Sequence, residues 1–283
     1  MKTRVLSGLI MLPLLILIIL NGYVLYAGCF LLSIMAIYEF FRGFKELDVK
    51  PSLGIAVSST AALYLLGILN HIAKSGASGQ GIKLGAISLS DQTWIMIWIF
   101  ASVLACLLYL FNIDKRKLDD AMVTITGIFY VSFFCYHLGA LGLNKELNIL
   151  VWLAVITAFG TDICAYFAGV TLGKHKLCPV ISPKKTWEGA IGGVLGTMIL
   201  TGIFGFFFAK PIIIHCLIMG LLGSVISMFG DLTASIFKRK MGIKDYGNLI
   251  PGHGGILDRF DSVLFTSPLI YYYATIVLSG TTL

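Results

Sequence analysis

Polar residues are sparse along this chain and bunched, and between the bunches lie long apolar stretches. Taking each stretch as one helix predicts spans over Val5–Leu20, Tyr23–Phe40, Leu53–Leu69, Trp94–Phe111, Val123–Leu141, Ile149–Leu172, Gly189–Phe208, Pro211–Phe237 and Ser262–Leu278. Most are long enough to cross about 30 Å of hydrocarbon at about 1.5 Å per residue. The expected fold is therefore all-α, a polytopic membrane protein of about nine transmembrane helices. Lys2 and Arg4 ahead of the first run would also suit a signal peptide, but no small-residue cleavage pattern follows it, so a retained helix, kinked at Pro13, is expected.

The polar segments fix the orientation. Of the 21 Lys and Arg residues, 17 fall in alternate segments beginning with the N-terminus and 4 in the others, which reads as N-terminus inside and C-terminus outside. The segment 70–93, with its Ser/Gly-rich stretch, reads as a flexible outer connection without chemistry, and 41–52 as an anchor at the inner membrane surface. No repeat and no soluble domain boundary is visible. Residues 1–283 read as one membrane domain in which 1–148 carry no motif and 149–283 hold the catalytic spans and loops.

Composition agrees, with 58% hydrophobic residues and a mean hydropathy of +0.91. The net charge of +7 would raise nucleic acid as a partner in a soluble protein. Here the basic residues sit in short loops between spans, so anionic headgroups and a phosphorylated substrate are the fitting partners, and nucleic acid is not. The six cysteines are scattered without ligand spacing, which argues against both a disulfide framework and zinc.

Charged residues within spans are costly and need a partner or a task. Asp162 lies near the middle of the sixth run with Tyr166 one turn later, and can be read as a structural pair or as part of a site. The loop GKHKLCPVISPKKTWEG follows. Its Lys174, His175, Lys176, Lys184 and Lys185, with the hydroxyls of Ser182 and Thr186, can serve as a phosphate cradle or simply as an inside loop. Thr186, Glu188 and Gly189 mark a helix start, where free backbone N–H groups favour an anion.

The charge is densest from Gly230 to Asp261. Helical spacing puts Asp231, Ser235 and Lys238 on one face. Gly252, Gly254 and Gly255 around His253 permit close backbone approach to a ligand. Asp258, Arg259 and Asp261 open the last helix, with the two carboxylates one turn apart, as a hard cation requires. Carboxylates beside lysines and arginines next to a glycine turn suit phosphoryl or nucleotidyl transfer. His253 is expected to contact phosphate or to be structural, because a phosphate nucleophile is already ionised near neutral pH.

The pattern S-x-x-K-R, K-D, P-x-H-G-G-x-x-D-R-x-D, met by Ser235, Lys238, Arg239, Lys244, Asp245, Pro251, His253, Gly254, Gly255, Asp258, Arg259 and Asp261, resembles the signature of the phosphatidate cytidylyltransferase (CDP-diglyceride synthase) family. The upstream residues Asp162, Tyr166, Gly169, Gly173, Lys174, Ser182, Pro183, Lys185, Thr186, Glu188 and Gly189 also resemble it, and together the two segments cover about the last 130 residues. The resemblance implies the reaction of CTP with phosphatidate to give CDP-diacylglycerol and pyrophosphate, in a bacterial inner-membrane enzyme that acts on the cytoplasmic side and can form a homodimer. It also implies Mg2+ and a second cation such as K+. On this basis Asp231 and Asp258 are expected to hold the metal with help from Asp261 and Asp162. Lys238 and Arg239 are expected to act in catalysis. Ser182, Lys184, Lys185, Thr186, Ser235, Lys244, His253, Gly254, Gly255 and Arg259 are expected to bind the two substrates. A CTP-dependent lipid kinase and an ion-coupled transporter are the competing readings.

Overall fold

The structure is a computed structural model that describes residues 16–75, 83–84, 87–88, 90–249 and 254–278. Helices dominate it. After α1 (16–20) come α2 (Gly22–Gly43), α3 (Leu53–Ser75), α4 (Asp91–Tyr109), α5 (Leu118–Gly127), α6 (Phe134–Leu143), α7 (Leu150–Leu172), α8 (Trp187–Phe208), α9 (Ile213–Lys240) and α10 (Leu257–Val277). A π-helical segment, Ile128–Phe133, joins α5 to α6, so that Leu118–Leu143 forms one span.

Among the described residues seven helices are long and apolar enough to cross a membrane, which makes the chain an all-α polytopic membrane protein. Most of the first expected span lies outside the described residues. The last expected span, Ser262–Leu278, overlaps α10, a helix of 21 residues that is not one of those seven and whose first turns carry Asp258, Arg259 and Asp261.

Contacts divide the chain into two compact units, Ala27–Tyr136 and a second made of Met1–Tyr26 with His137–Leu283. In Ala27–Tyr136 the core is apolar around Ile37, Phe40, Leu63, Ile128 and Val131. Its buried hydroxyls pair across helices: Ser59 with Ser102 at 2.6 Å, Thr60 with Ser132 at 2.6 Å, and Ser33 with Tyr64 at 3.0 Å. In hydrocarbon there is no water to satisfy such groups, so pairing is what makes them tolerable. The connection after α2 is tied down rather than loose, because Asp120 accepts from the backbone N–H of Lys50 at 2.7 Å and Thr124 from that of Ser52 at 2.9 Å. In the 70–93 connection, β1 (Lys83–Leu84) and β2 (Ile87–Ser88) form a minimal antiparallel pair.

The other unit is a bundle of α7, α8, α9 and α10 with a small hairpin, β3 (Lys176–Cys178) and β4 (Ser182–Thr186), between α7 and α8. Apolar helices gain no hydrophobic energy from meeting in lipid, so close packing of small residues must hold them. Here Gly189 and Gly193 of α8 face Ala165 and Thr161 of α7, and a Cβ at Gly189 would stand 2.8 Å from the Ala165 carbonyl oxygen. Gly223 of α9 meets Thr157, and Thr266 of α10 donates to the Ala154 carbonyl at 3.1 Å. Gly230 lets α10 approach α9 at the Asp261 carbonyl, next to Asp231. The glycines thus bring the acidic parts of three helices to one end of the bundle.

All six cysteines are free, and Cys29, Cys106, Cys135 and Cys216 are buried, as expected of small core residues.

Candidate active site

The segment between α7 and α8 was expected to be a loop, yet it forms a hairpin with Lys176 opposite Thr186 and Cys178 opposite Ser182. Lysines and Pro183 are weak strand formers, so the hairpin depends on its ends. Glu188 supplies one tie. Its carboxylate accepts from the backbone N–H of Lys174 at 3.1 Å and of His175 at 3.2 Å, and pairs with His175 Nδ1 at 2.6 Å. Thr186 supplies the other as the N-cap of α8, its Oγ1 accepting from Gly189 N at 3.1 Å, where the sequence placed the helix start.

Fixed in this way, β4 points Lys185 at Asp231 of α9, with Nζ and Oδ2 2.5 Å apart and both side chains about a quarter exposed. The pair borders a cavity of about 430 Å³ that is also lined by Asp162, Tyr166, Lys176, Lys184 and Thr186. Gly169 and Gly189 also line it, where α7 and α8 pack closely. Asp162, Lys184, Lys185, Thr186 and Asp231 are therefore brought together as expected. Lys176, expected in the phosphate cradle, and Tyr166, expected beside Asp162, join them.

A second group sits at the C-terminal end of α9. The helix continues through Lys240, so Lys238 is still helical and points as its spacing from Asp231 requires. Lys238 Nζ is 2.7 Å from Asp258 Oδ1, with the two side chains 14% and 1% exposed. Asp258 Oδ2 accepts from Tyr246 N at 2.8 Å and from Gly255 N at 2.9 Å. Gly254 has a φ of 86°, a conformation suited to glycine, and a Cβ there would press on Asp258 Oδ2 at 2.8 Å. Arg239 Nε donates to the Ile181 carbonyl at 3.5 Å, which links this end of α9 to the hairpin.

The remaining expected residues take varied places. Asp261 is buried and accepts from Ser262 N at 2.8 Å, and its charge acts on those of Asp231 and Asp162. Arg259 is half-buried and its charge also acts on Asp162. Ser182 and Ser235 are half-buried, and Lys244 is exposed on the connection after α9. His253 lies outside the described residues. Tyr246, which the sequence did not single out, is almost fully buried beside Asp258.

The four aspartates do not form one ligand set. Among the described residues no three His, Cys, Asp or Glu side chains converge to hold a metal ion. Asp258 in particular has both oxygens engaged by a lysine and two backbone amides, and works here as the clamp of its loop. Asp231 and Asp162 remain, facing one cavity from α9 and α7. Two carboxylates with room for phosphate oxygens and water are a sufficient donor set for Mg2+, so these residues fit the ion.

Fold and site together define a multi-pass membrane protein with aspartates and lysines from four elements around one cavity. The comparisons name the family: a model described as "Cytidylyltransferase family" matches residues 2–277, and the chain belongs to that family. It is 34% identical over 280 residues to a phosphatidate cytidylyltransferase of Staphylococcus epidermidis, covering 95% of this chain and 97% of that one. It is 30% identical over 291 residues to one of Synechocystis, covering 93% and 92%. A match to the Bacillus subtilis phosphatidate cytidylyltransferase reaches 41% identity over 155 residues, 54% of this chain and 58% of the relative.

Proposed function

We propose that this protein joins CTP to phosphatidate, giving CDP-diacylglycerol and pyrophosphate. The observation that carries the reading is the Lys185–Asp231 pair, set in a cavity with Asp162 and Lys184 at one end of the bundle. Family membership and relatives named phosphatidate cytidylyltransferase support it.

An oxygen of the lipid phosphate attacks the α-phosphorus of CTP, and the bond from that phosphorus to the bridging oxygen of the pyrophosphate breaks. Both reactants are anions, so the chain must supply positive charge and hold them in line. Lys184 and Lys185, with Lys176 beside them, receive the phosphates. Thr186 holds the start of α8 in place beneath them. Asp231 and Asp162 would hold Mg2+, which when bound neutralises phosphate charge and orients the nucleotide. Lys185 now neutralises Asp231, and is free to turn to phosphate once the carboxylate has another partner. Lys238 and Arg239, on the last turn of α9, take up charge that builds on the leaving pyrophosphate.

The nine-span arrangement with an inside N-terminus puts both basic connections on the cytoplasmic side, where CTP is found. The strong Lys/Arg asymmetry supports that orientation, and bacterial relatives support an inner-membrane setting.

Purified protein given phosphatidate, Mg2+ and CTP labelled at the α-phosphorus should move the label into lipid. Transfer of label only from the γ-phosphorus would replace this reading with a lipid kinase. Ion flux in proteoliposomes with no lipid product would replace it with a transporter.

A further inference from the structure

Lys238 is held by more than its carboxylate partner. The ring of Tyr246 lies beneath it, with Nζ 5.4 Å from the centroid, so the ammonium meets both a carboxylate and an aromatic face. Tyr246 is 2% exposed and reaches the pair from the connection that follows α9. It is anchored at both ends: its backbone N–H donates to Asp258 Oδ2 at 2.8 Å, and its hydroxyl donates to the Ala234 carbonyl at 3.2 Å. Residue 234 is four before 238, so that carbonyl belongs to the helical turn that carries Lys238. One side chain therefore touches the turn, the ammonium and, through its backbone, the carboxylate.

We propose that Tyr246 is a positioning residue that sets the direction of the Lys238 ammonium by stacking beneath it. This rests on the transferase reading above, in which Lys238 answers charge on the leaving pyrophosphate. A lysine has four rotatable bonds and a single ion pair leaves it free to swing about its partner. The aromatic face removes that freedom, because the cation is attracted to the ring while the carboxylate also holds it. Arranged before substrate binds, the ammonium needs no ordering during reaction, which is where a positioned charge is most effective. The hydroxyl keeps the ring in place, and the ring does the positioning.

Two substitutions separate these parts. Y246F keeps the ring and should stay within about threefold of the parent kcat. Y246L removes it and should lower kcat by about tenfold or more with little change in the KM for CTP. In a K238M background Y246L should cost nothing further, since its effect passes through the missing ammonium. Losses that multiply in the double variant, or Y246F as damaged as Y246L, would overturn the proposal.

A measurement without turnover separates it from the transferase reading. Acetylation of lysines by acetic anhydride, read by mass spectrometry on the protein in membranes, should modify Lys238 much more slowly than exposed Lys240. Y246L should bring Lys238 close to the rate of Lys240, and Y246F should not. Equal Lys238 reactivity in the parent and Y246L refutes the positioning role even if CDP-lipid is made. The expected reactivities with no CDP-lipid product would refute the transferase reading and leave the placement of Lys238 standing.

Discussion

Lys185 Nζ and Asp231 Oδ2 meet at 2.5 Å, although one belongs to a five-residue strand and the other to the C-terminal third of a long helix. The strand can deliver its lysine because Thr186 and Glu188 fix the hairpin to the start of α8. Removing either charge leaves the other facing the cavity without its partner.

Asp231→Asn should abolish CDP-lipid formation, by about a thousandfold or more, while the protein still inserts and elutes as the parent does. Asp162→Asn should weaken the Mg2+ dependence of turnover, so that saturation needs several times more metal. The check is initial rate against Mg2+ concentration. Parent-like metal curves in both variants would remove these residues from the metal assignment.

Asp258 acts through structure first. Asp258→Asn leaves a buried ammonium without its charge partner, which should cost about 3 kcal/mol. Thermal unfolding in detergent should show a clear drop in midpoint along with lost turnover, whereas Asp231→Asn should lose turnover with a nearly unchanged midpoint. That contrast separates a clamp from a ligand.

The α7–α8 contact gives a prediction that changes no charge. Gly189→Leu should force the helices apart at the Ala165 carbonyl, costing about 1 to 3 kcal/mol, and distort the cavity that Gly189 lines. Lower stability with a raised KM for CTP is expected. Gly242, where a Cβ would meet nothing within 4 Å, makes a poor control because its φ is 70°, so Gly54, open and with ordinary backbone, is the better site for a matched substitution.

Burial pushes the Tyr246 phenol well above its usual range, with the charges of Asp258 and Asp261 acting in the same direction. A raised folded value means that this group's contribution is fully present below the unfolded pKa of about 10. It is lost as pH rises beyond that, because the unfolded phenol ionises first. Between about pH 10 and 11 stability should fall less steeply in Y246F than in the parent, by roughly 1 kcal/mol over that unit. Denaturation midpoints across that range test it.

Much of this was legible in the residues themselves. Apolar runs located the helices because a membrane helix must be apolar over most of its length, and Thr186 before Gly189 marked a helix start that the structure keeps. The face shared by Asp231 and Lys238 followed from helical spacing alone, since α9 is continuous through both. The hairpin at 176–186 was not legible, because its strands are lysine- and proline-containing and are held by Glu188 from the next helix. Nor was the role of Asp258. Spacing one turn from Asp261 suits a metal, but it cannot reveal that backbone amides of Tyr246 and Gly255 already occupy one carboxylate oxygen. Tyr246 carried no signal of its own, being one of twelve tyrosines in an aromatic-rich chain.

Helix α9 runs unbroken for 28 residues, about 42 Å, and carries Asp231 and Lys238 near one end while His215 near the other bonds Tyr273 at 3.0 Å. A rod of that length works as a lever. Tilting it by one degree about its far end would shift the working end by roughly 0.7 Å, a displacement of the size that costs enzymes large factors in rate. Bilayer thickness and ligands at the far end of the helix therefore have a mechanical route to the chemistry without touching a single reacting group.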